Sequence, residues 1–139
     1  MIIITDVNII LSALIKNSSI RKIITTFEQD FCFPEISLHK IRKYKELILE
    51  KSGLSEEEFQ VLFNKLFTFI RIIPNEELKQ YWDEARTIME HIDPEDVTCI
   101  AAALSQGDAL IWSEDKHFDH QEEIIVLKTK DIIILFQEK

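Results

Sequence analysis

Glycine and proline are scarce in this sequence of 139 residues, which contains only two glycines and three prolines. Disordered segments and linkers are usually rich in these residues and poor in apolar ones. Here 46% of the residues are hydrophobic, which is enough to form a packed interior. We therefore expect one globular domain over residues 1–139, because a single core commonly organises a chain of this length.

Long apolar runs are also missing: no run reaches the roughly 18 residues that a membrane-spanning helix needs. The opening residues, Met1 to Asp6, lack the basic flank and the length of a secretory signal peptide. We expect a cytoplasmic protein that does not associate with membranes.

Cysteine occurs only twice, as Cys32 and Cys99. Both lie in apolar surroundings, without a CxxC partner or a histidine-rich neighbourhood. Redox motifs and metal-thiolate sites are therefore unsupported, and the sequence predicts two buried free thiols.

Positive charge is in deficit, since 16 lysines and arginines face 25 acidic residues, for a net charge of −9. This balance argues against a protein that coats itself on nucleic acid through broad electrostatic attraction. Acidic residues can still serve phosphodiester chemistry when they hold divalent cations, because the bound ions change the sign of the local field. Net charge alone therefore does not exclude a nuclease.

Short β-branched or aromatic runs alternate with stretches of helical periodicity along the chain. Buried parallel strands form continuous apolar runs, whereas helices place apolar residues three and four apart. This alternation is typical of a parallel sheet covered by helices on both faces. We predict a three-layer α/β sandwich with a central, mostly parallel sheet of four to five strands. The predicted strands are residues 2–5, 31–33, 69–73, 109–112 and 124–127.

Several helix boundaries can be predicted from local chemistry. One helix is predicted over residues 38–48, with a stop at Gly53, and another over residues 78–89. Asp93 and Pro94 have the chemistry of a helix start before an alanine-rich stretch. Thr129 is predicted to be the N-cap of the last helix.

Three aspartates stand out by their position after strands or at a helix start. Asp6 follows the first strand, Asp115 lies three residues after the strand that ends at Trp112, and Asp96 lies in the first turn of the alanine-rich helix. Each alone is most simply a cap or a turn residue. Together they are expected to converge at one sheet edge, where their repulsion is relieved by a cation. Carboxylate oxygens suit Mg²⁺ or Mn²⁺, and such ions activate water for phosphodiester hydrolysis.

Three segments resemble the motifs of PIN domains: IITDVN at residues 3–8, DPED at residues 93–96 before the alanine-rich helix, and WSEDKHF at residues 112–118. Their order and spacing extend the resemblance over most of the chain. The resemblance implies a Mg²⁺- or Mn²⁺-dependent endoribonuclease, a fold shared by VapC-type toxins of prokaryotic toxin-antitoxin pairs and by RNA-processing nucleases. It also implies three partners: single-stranded or structured RNA, a small antitoxin protein, and a second copy of the chain.

By motif position, the resemblance makes Asp6, Asp96 and Asp115 the catalytic, metal-binding acids. Asn8 and Ser113 match polar positions of the first and last motifs and are expected to orient water or carboxylates. Their alternative roles are an N-cap for Asn8 and a loop turn for Ser113.

One position departs from the family pattern, because PIN domains usually supply a glutamate near position 40 and this chain has Lys40. Glu46 is a replacement ligand to consider, although six residues along a helix correspond to about 9 Å of rise and a rotation of roughly 120°. Glu35 is another candidate, and Asp119 is a further metal ligand to test. A lysine in the site would pair with the aspartates and lower metal affinity. The alternative function is therefore a PIN-like domain with weakened catalysis that acts through RNA or protein binding.

Three other features of the sequence bear on function, and the first two permit two interpretations each. The positive cluster binds phosphate backbone or forms a solvated helix face. The phenylalanines of the helix after Ser55 form a dimer interface or the core of a helix pair. The histidines show no HExxH or triad pattern, and His117 and His120 are interpreted as loop residues. The positive cluster comprises Lys40, Arg42, Lys43, Lys45, Arg21 and Lys22, and the phenylalanines are Phe59, Phe63 and Phe67.

Overall fold

Five parallel strands form one sheet in the order β3-β2-β1-β4-β5 in the computed structural model, which describes residues 1–16, 18–89 and 96–137. Every neighbouring pair of strands is parallel. The predicted α/β architecture with a parallel sheet of four to five strands is therefore confirmed. The strands are β1 (Ile2–Thr5), β2 (Asp30–Pro34), β3 (Ile70–Ile73), β4 (Leu110–Trp112) and β5 (Val126–Leu127).

Helices cover both faces of this sheet. Helices α1, α2, α4 and α5 contribute to one hydrophobic cluster, and α6, α7 and α8 contribute to the other. The helices are α1 (Val7–Ile15), α2 (Ser18–Thr26), α3 (Leu38–Lys43), α4 (Lys45–Ser52), α5 (Glu56–Thr68), α6 (Asn75–Lys79), α7 (Trp82–Met89), α8 (Asp96–Ser105) and α9 (Thr129–Phe136), with short 3-10 turns at Glu35–Ser37 and Lys116–His120. None of these helices is long and apolar enough to cross a bilayer.

The two clusters follow from the alternation of side chains along the strands. Ile3 packs into the cluster on one face, and Ile4, its neighbour in β1, packs into the cluster on the other. Both are fully buried, as continuous apolar strands of a covered sheet should be. The predicted free thiols Cys32 and Cys99 are confirmed as buried and unpaired with each other.

The phenylalanines of α5 belong to the core rather than to an exposed face. Phe59 is buried, and Phe63 and Phe67 are half-buried against the same cluster. The rings of Phe63 and Phe67 stack with centroids 4.5 Å apart, and Phe67 meets Phe33 edge-on at 5.8 Å. The core interpretation of these residues is therefore the one that the structure supports.

Helix boundaries differ from the sequence predictions at three places. The segment predicted as one helix is broken at Tyr44 into α3 and α4, and both Ile41 and Ile48 still reach the core from either side of the break. Residues 78–89 are likewise divided between α6 and α7. The N-cap of α9 is Lys128, because the Thr129 hydroxyl instead accepts a hydrogen bond from the Trp112 indole at 3.0 Å. The start predicted at residues 93–94 lies outside the described residues.

The sheet topology creates a crevice at the carboxyl ends of β1 and β4. The chain runs outward from β1 through β2 to β3, and then returns to the other side of β1 with β4 and β5. Thr5 is paired in register with Trp112, so the next residues, Asp6 and Ser113, emerge side by side. Such a reversal of strand order is where open α/β sheets place their binding sites.

Candidate metal centre

Asp6 lies at the junction of β1 and α1, where its backbone N–H continues the ladder by donating to the Trp112 carbonyl at 3.1 Å. The residue is only 5% exposed. The Ser113 hydroxyl donates to Asp6 Oδ2 at 2.7 Å. Asp6 is therefore a buried carboxylate whose position depends on both central strands.

Burial raises the pKa of the Asp6 carboxyl above its ordinary value. The hydrogen bond from Ser113 lowers this pKa, the negative charge of Asp115 raises it further, and the backbone N–H groups of Val7 and Asn8 lower it slightly. The net upward direction means that the ionised carboxylate is unfavourable in this environment. A bound cation would relieve that cost.

We expect Asp6→Asn to stabilise the metal-free protein at neutral pH. Because the pKa of Asp6 is higher in the folded state than in the unfolded state, folding loses stability as pH rises through the folded pKa. Asparagine removes this penalty and keeps an oxygen for Ser113. Thermal unfolding in EDTA should give a higher Tm for Asp6→Asn near neutral pH, with the gain disappearing below the ordinary carboxyl pKa.

The control for this prediction is Asp119→Asn, which removes an exposed carboxylate from the same protein. It should leave Tm unchanged at both pH values. A lower Tm for Asp6→Asn at neutral pH would contradict the prediction.

Asp115 is linked to Asp6 through Ser113, which is 1% exposed. The Asp115 backbone N–H donates to Ser113 Oγ at 3.0 Å, while that hydroxyl donates to Asp6. Asp115 Oδ1 in turn accepts from the His117 backbone N–H at 2.9 Å and so begins the turn Lys116–His120. This arrangement supports the predicted orienting role of Ser113, which stays a prediction.

Asp96 opens α8 and is 6% exposed. Its Oδ2 lies 3.2 Å from His117 Nδ1, and the same nitrogen lies 3.3 Å from Asp115 Oδ1. Asp96, Asp115 and His117 each offer one ligand atom, and these three atoms lie within 4.8 Å of one another. Sequence reasoning assigned His117 to a loop and missed this convergence. The available signal was its position two residues after Asp115, where an aspartate commonly binds the backbone N–H.

Two of the three separations among these atoms match those of ligands around a divalent ion. With metal-ligand bonds of about 2.1 Å, adjacent ligand atoms lie about 3.0 to 3.4 Å apart in octahedral or tetrahedral geometry. The two nitrogen-oxygen separations of 3.2 and 3.3 Å fall within that range. Asp6 lies outside this group of three, but it lines the same cleft and its charge interacts with that of Asp115.

The three aspartates line one cleft of about 530 Å³. Lys40, His39 and Lys51 contribute polar groups to the same cleft. Lys40 is half-buried there, so the residue that departs from the family pattern is indeed part of the site. Apolar and aromatic side chains also line the cleft: Val7, Leu11, Ile15, Ile36, Tyr44, Leu47, Ile48 and Trp82.

Cys99 also lines this cleft but is suited to remain a thiol. Burial raises its pKa well above the ordinary value, and the charges of Asp6 and Asp96 raise it further, while Lys40 lowers it. The thiolate is the reactive form of cysteine. Nucleophilic catalysis by Cys99 is therefore disfavoured.

The structure does not bring the remaining acidic candidates into the cleft. Glu46 is exposed on α4, beyond the helix break, and does not line the cleft. Glu35 accepts a hydrogen bond from the Asn75 backbone N–H at 3.1 Å, so it serves the start of α6. Asp119 is exposed and lines a separate depression with Thr87. The tentative metal-ligand roles of Glu46 and Asp119 have no support in this geometry.

Asn8 does line the cleft with its exposed side chain, as a residue of the first turn of α1.

The residues of the positive cluster have separate roles. Arg21 donates to the Ala13 and Leu14 carbonyls near the end of α1. Lys45 pairs with Glu56 at 3.7 Å. Arg21 and Lys45 thus serve local structure, and Lys40 is the member of the cluster that lines the cleft.

Comparisons with known proteins show which family and which solved structures this chain is similar to. Residues 4–129 match the family described as the PIN domain. No curated protein matches the sequence. A chain of VapBC2 from Rickettsia felis, solved bound to a DNA fragment from its promoter, is similar with a TM-score of 0.69 and 19% identity, over 92% of this chain and 98% of that one. A chain of FitAcB from Neisseria gonorrhoeae is similar with a TM-score of 0.64 and 18% identity, over 92% and 98% of the two chains. Because the family match spans most of its length, the chain belongs to the PIN domain family.

Proposed function

We propose that this protein is a PIN-type endoribonuclease that depends on Mg²⁺ or Mn²⁺. The observation that carries the proposal is the convergence of Asp6, Asp96 and Asp115 in one cleft at the carboxyl ends of β1 and β4. Membership of the PIN domain family supports nuclease chemistry at this position.

Each aspartate has a distinct task in this proposal. Asp96 and Asp115 supply the closely spaced oxygen ligands, and Asp6 adds a third carboxylate from the end of β1. Ser113 holds the Asp6 carboxylate and the Asp115 backbone at fixed positions through its hydroxyl. When bound, a divalent ion acidifies water and stabilises the charge that develops on the phosphodiester.

The rest of the cleft suits an RNA strand despite the acidic total charge. Lys40 and Lys51 offer ammonium groups for phosphate oxygens. Tyr44 and Trp82 offer aromatic faces, on which unpaired bases stack with about 1 to 3 kcal/mol each. We therefore favour single-stranded or locally unpaired RNA as substrate.

The test is cleavage of single-stranded and structured RNAs with Mg²⁺, Mn²⁺ or EDTA. The wild type should cut in the presence of either ion and lose activity in EDTA. Asp6→Asn should remove the activity while it remains folded. Equal cleavage by the wild type and Asp6→Asn, or cleavage that persists in EDTA, would contradict the proposal.

A small antitoxin is the proposed protein partner. The chain resembles VapC-type toxins of toxin-antitoxin pairs, and one of the two similar solved structures comes from VapBC2. The reading frame beside this gene is expected to encode a short DNA-binding protein. RNA cleavage in vitro should be suppressed when the chain is co-purified with that protein, and unaltered cleavage would reject the pairing.

We also propose that the chain forms a homodimer, which light scattering of the purified chain tests. A cytoplasmic location stays a prediction.

The alternative is a PIN domain with weakened turnover that acts through RNA or protein binding. The observation that favours it is the presence of Lys40 in the cleft where the family pattern has a glutamate. This alternative predicts undetectable cleavage together with RNA binding that survives Asp115→Asn. Filter binding and cleavage measured on the same preparations distinguish the two functions.

A further inference from the structure

We propose that His117 is a direct ligand of the bound ion, and that this nitrogen ligand makes the centre prefer first-row transition-metal ions over Mg²⁺. The inference rests on the metal site of the proposed function and specifies its chemistry. His117 replaces neither of the aspartates; it supplements them.

The geometry places one atom of His117 between two carboxylates. Nδ1 is 3.2 Å from Asp96 Oδ2 and 3.3 Å from Asp115 Oδ1. These separations match adjacent positions in the coordination sphere of an ion with bonds of about 2.1 Å. The same nitrogen is thus placed to bind the ion that the two carboxylates hold.

Local contacts hold the backbone of His117 in place, and with it the start of the side chain. The His117 N–H donates to Asp115 Oδ1 at 2.9 Å, and the next residue, Phe118, is 1% exposed in the core. The turn Lys116–His120 is therefore anchored at both of these residues. About half of the His117 side chain remains accessible, at 48% exposure, so the site is reachable from solvent.

Ligand chemistry gives the expected metal preference. Mg²⁺ favours oxygen ligands and retains several waters, whereas imidazole suits first-row transition metals. A site of carboxylates alone distinguishes Mg²⁺ from Mn²⁺ poorly. Adding the His117 nitrogen favours Mn²⁺ and, by the usual affinity order, favours Co²⁺ still more.

Two other histidines provide matched controls. His39 lines the same cleft, but its Nδ1 already contacts the Ile36 carbonyl. His120 belongs to the same turn as His117, is exposed and lines a separate depression. Replacement of either histidine should leave Mn²⁺ binding unchanged.

The experiment combines calorimetric titration of the purified chain with MnCl₂ and MgCl₂ and pulsed EPR of the Mn²⁺ complex. The wild type, His39→Ala and His120→Ala should show directly bonded ¹⁴N coupling, and His117→Ala and His117→Asp should lose it. His117→Ala should bind Mn²⁺ at least tenfold more weakly. His117→Asp provides an oxygen instead, so it should reduce the preference for Mn²⁺ over Mg²⁺ at least tenfold.

Mn²⁺ that binds without ¹⁴N coupling, or coupling that persists in His117→Ala, would overturn the ligand role and leave the nuclease proposal standing. An unchanged Mn²⁺ to Mg²⁺ preference in His117→Asp would overturn the inferred selectivity. Conversely, ¹⁴N coupling in a protein that cuts no RNA would support the His117 ligand and reject the nuclease proposal.

Discussion

Replacing Asp96 with asparagine is expected to reduce RNA cleavage by at least a hundredfold. Asp96 is buried at the start of α8 and supplies one of the closely spaced ligand oxygens. Asparagine has nearly the same volume but lacks the charge that holds a cation, and electrostatic groups of this kind commonly contribute a hundredfold or more to rate. The comparison is made under single-turnover conditions with saturating RNA and a fixed Mn²⁺ concentration.

The matched control is Asp119→Asn, because Asp119 is an exposed aspartate outside the cleft. Its cleavage rate should stay within twofold of the wild type. Circular dichroism and Tm should show that both variants are folded. If a folded Asp96→Asn variant cleaves RNA at the wild-type rate, Asp96 has no role in the proposed mechanism.

Replacing Lys40 with glutamate is expected to raise Mn²⁺ affinity at least tenfold. The substitution removes a positive charge from the cleft that contains Asp6, Asp96 and Asp115 and adds a negative one. Two unit charges about 8 Å apart interact by about 2 kcal/mol at an effective dielectric constant of about 20, and a tenfold gain needs only about 1.4 kcal/mol. Isothermal titration with MnCl₂ measures the change directly.

Lys43→Glu is the control for this substitution, since it makes the same change of charge at an exposed position of the same helix. It should alter Mn²⁺ affinity by less than threefold. If Lys40→Glu also accelerates cleavage, the natural lysine limits turnover, as the alternative function predicts. If Lys40→Glu and the wild type bind Mn²⁺ with equal affinity, the explanation that Lys40 lowers metal affinity is rejected.

Much of the fold was predictable because its central strands are buried on both faces. Residues 2–5 form a continuous apolar run, and a run of that kind has few alternatives to a central parallel strand. Once the strands are parallel, residues that follow them must emerge at one edge. This reasoning is sufficient to bring Asp6 and Asp115 to the same cleft, because it depends on topology and not on side-chain detail.

The remaining details depend on contacts between distant parts of the chain. His117 reaches Asp96, which is 21 residues earlier, only because the turn after β4 folds back over the start of α8. The helix break at Tyr44 left the position of Glu46 unpredictable from helical periodicity. Thr129 appeared suited to cap α9, but the distant Trp112 indole uses its hydroxyl. Tertiary contacts of this kind override local propensity.

The most direct measurement is a crystal structure of the chain grown with Mn²⁺, with anomalous differences recorded at the manganese edge. We predict an anomalous peak within bonding distance of Asp96 Oδ2 and Asp115 Oδ1, and no such peak in Asp96→Asn crystals grown under the same conditions. Anomalous density that is absent from the cleft of the wild type, or that remains there in Asp96→Asn, would contradict the proposal that these aspartates form a metal centre.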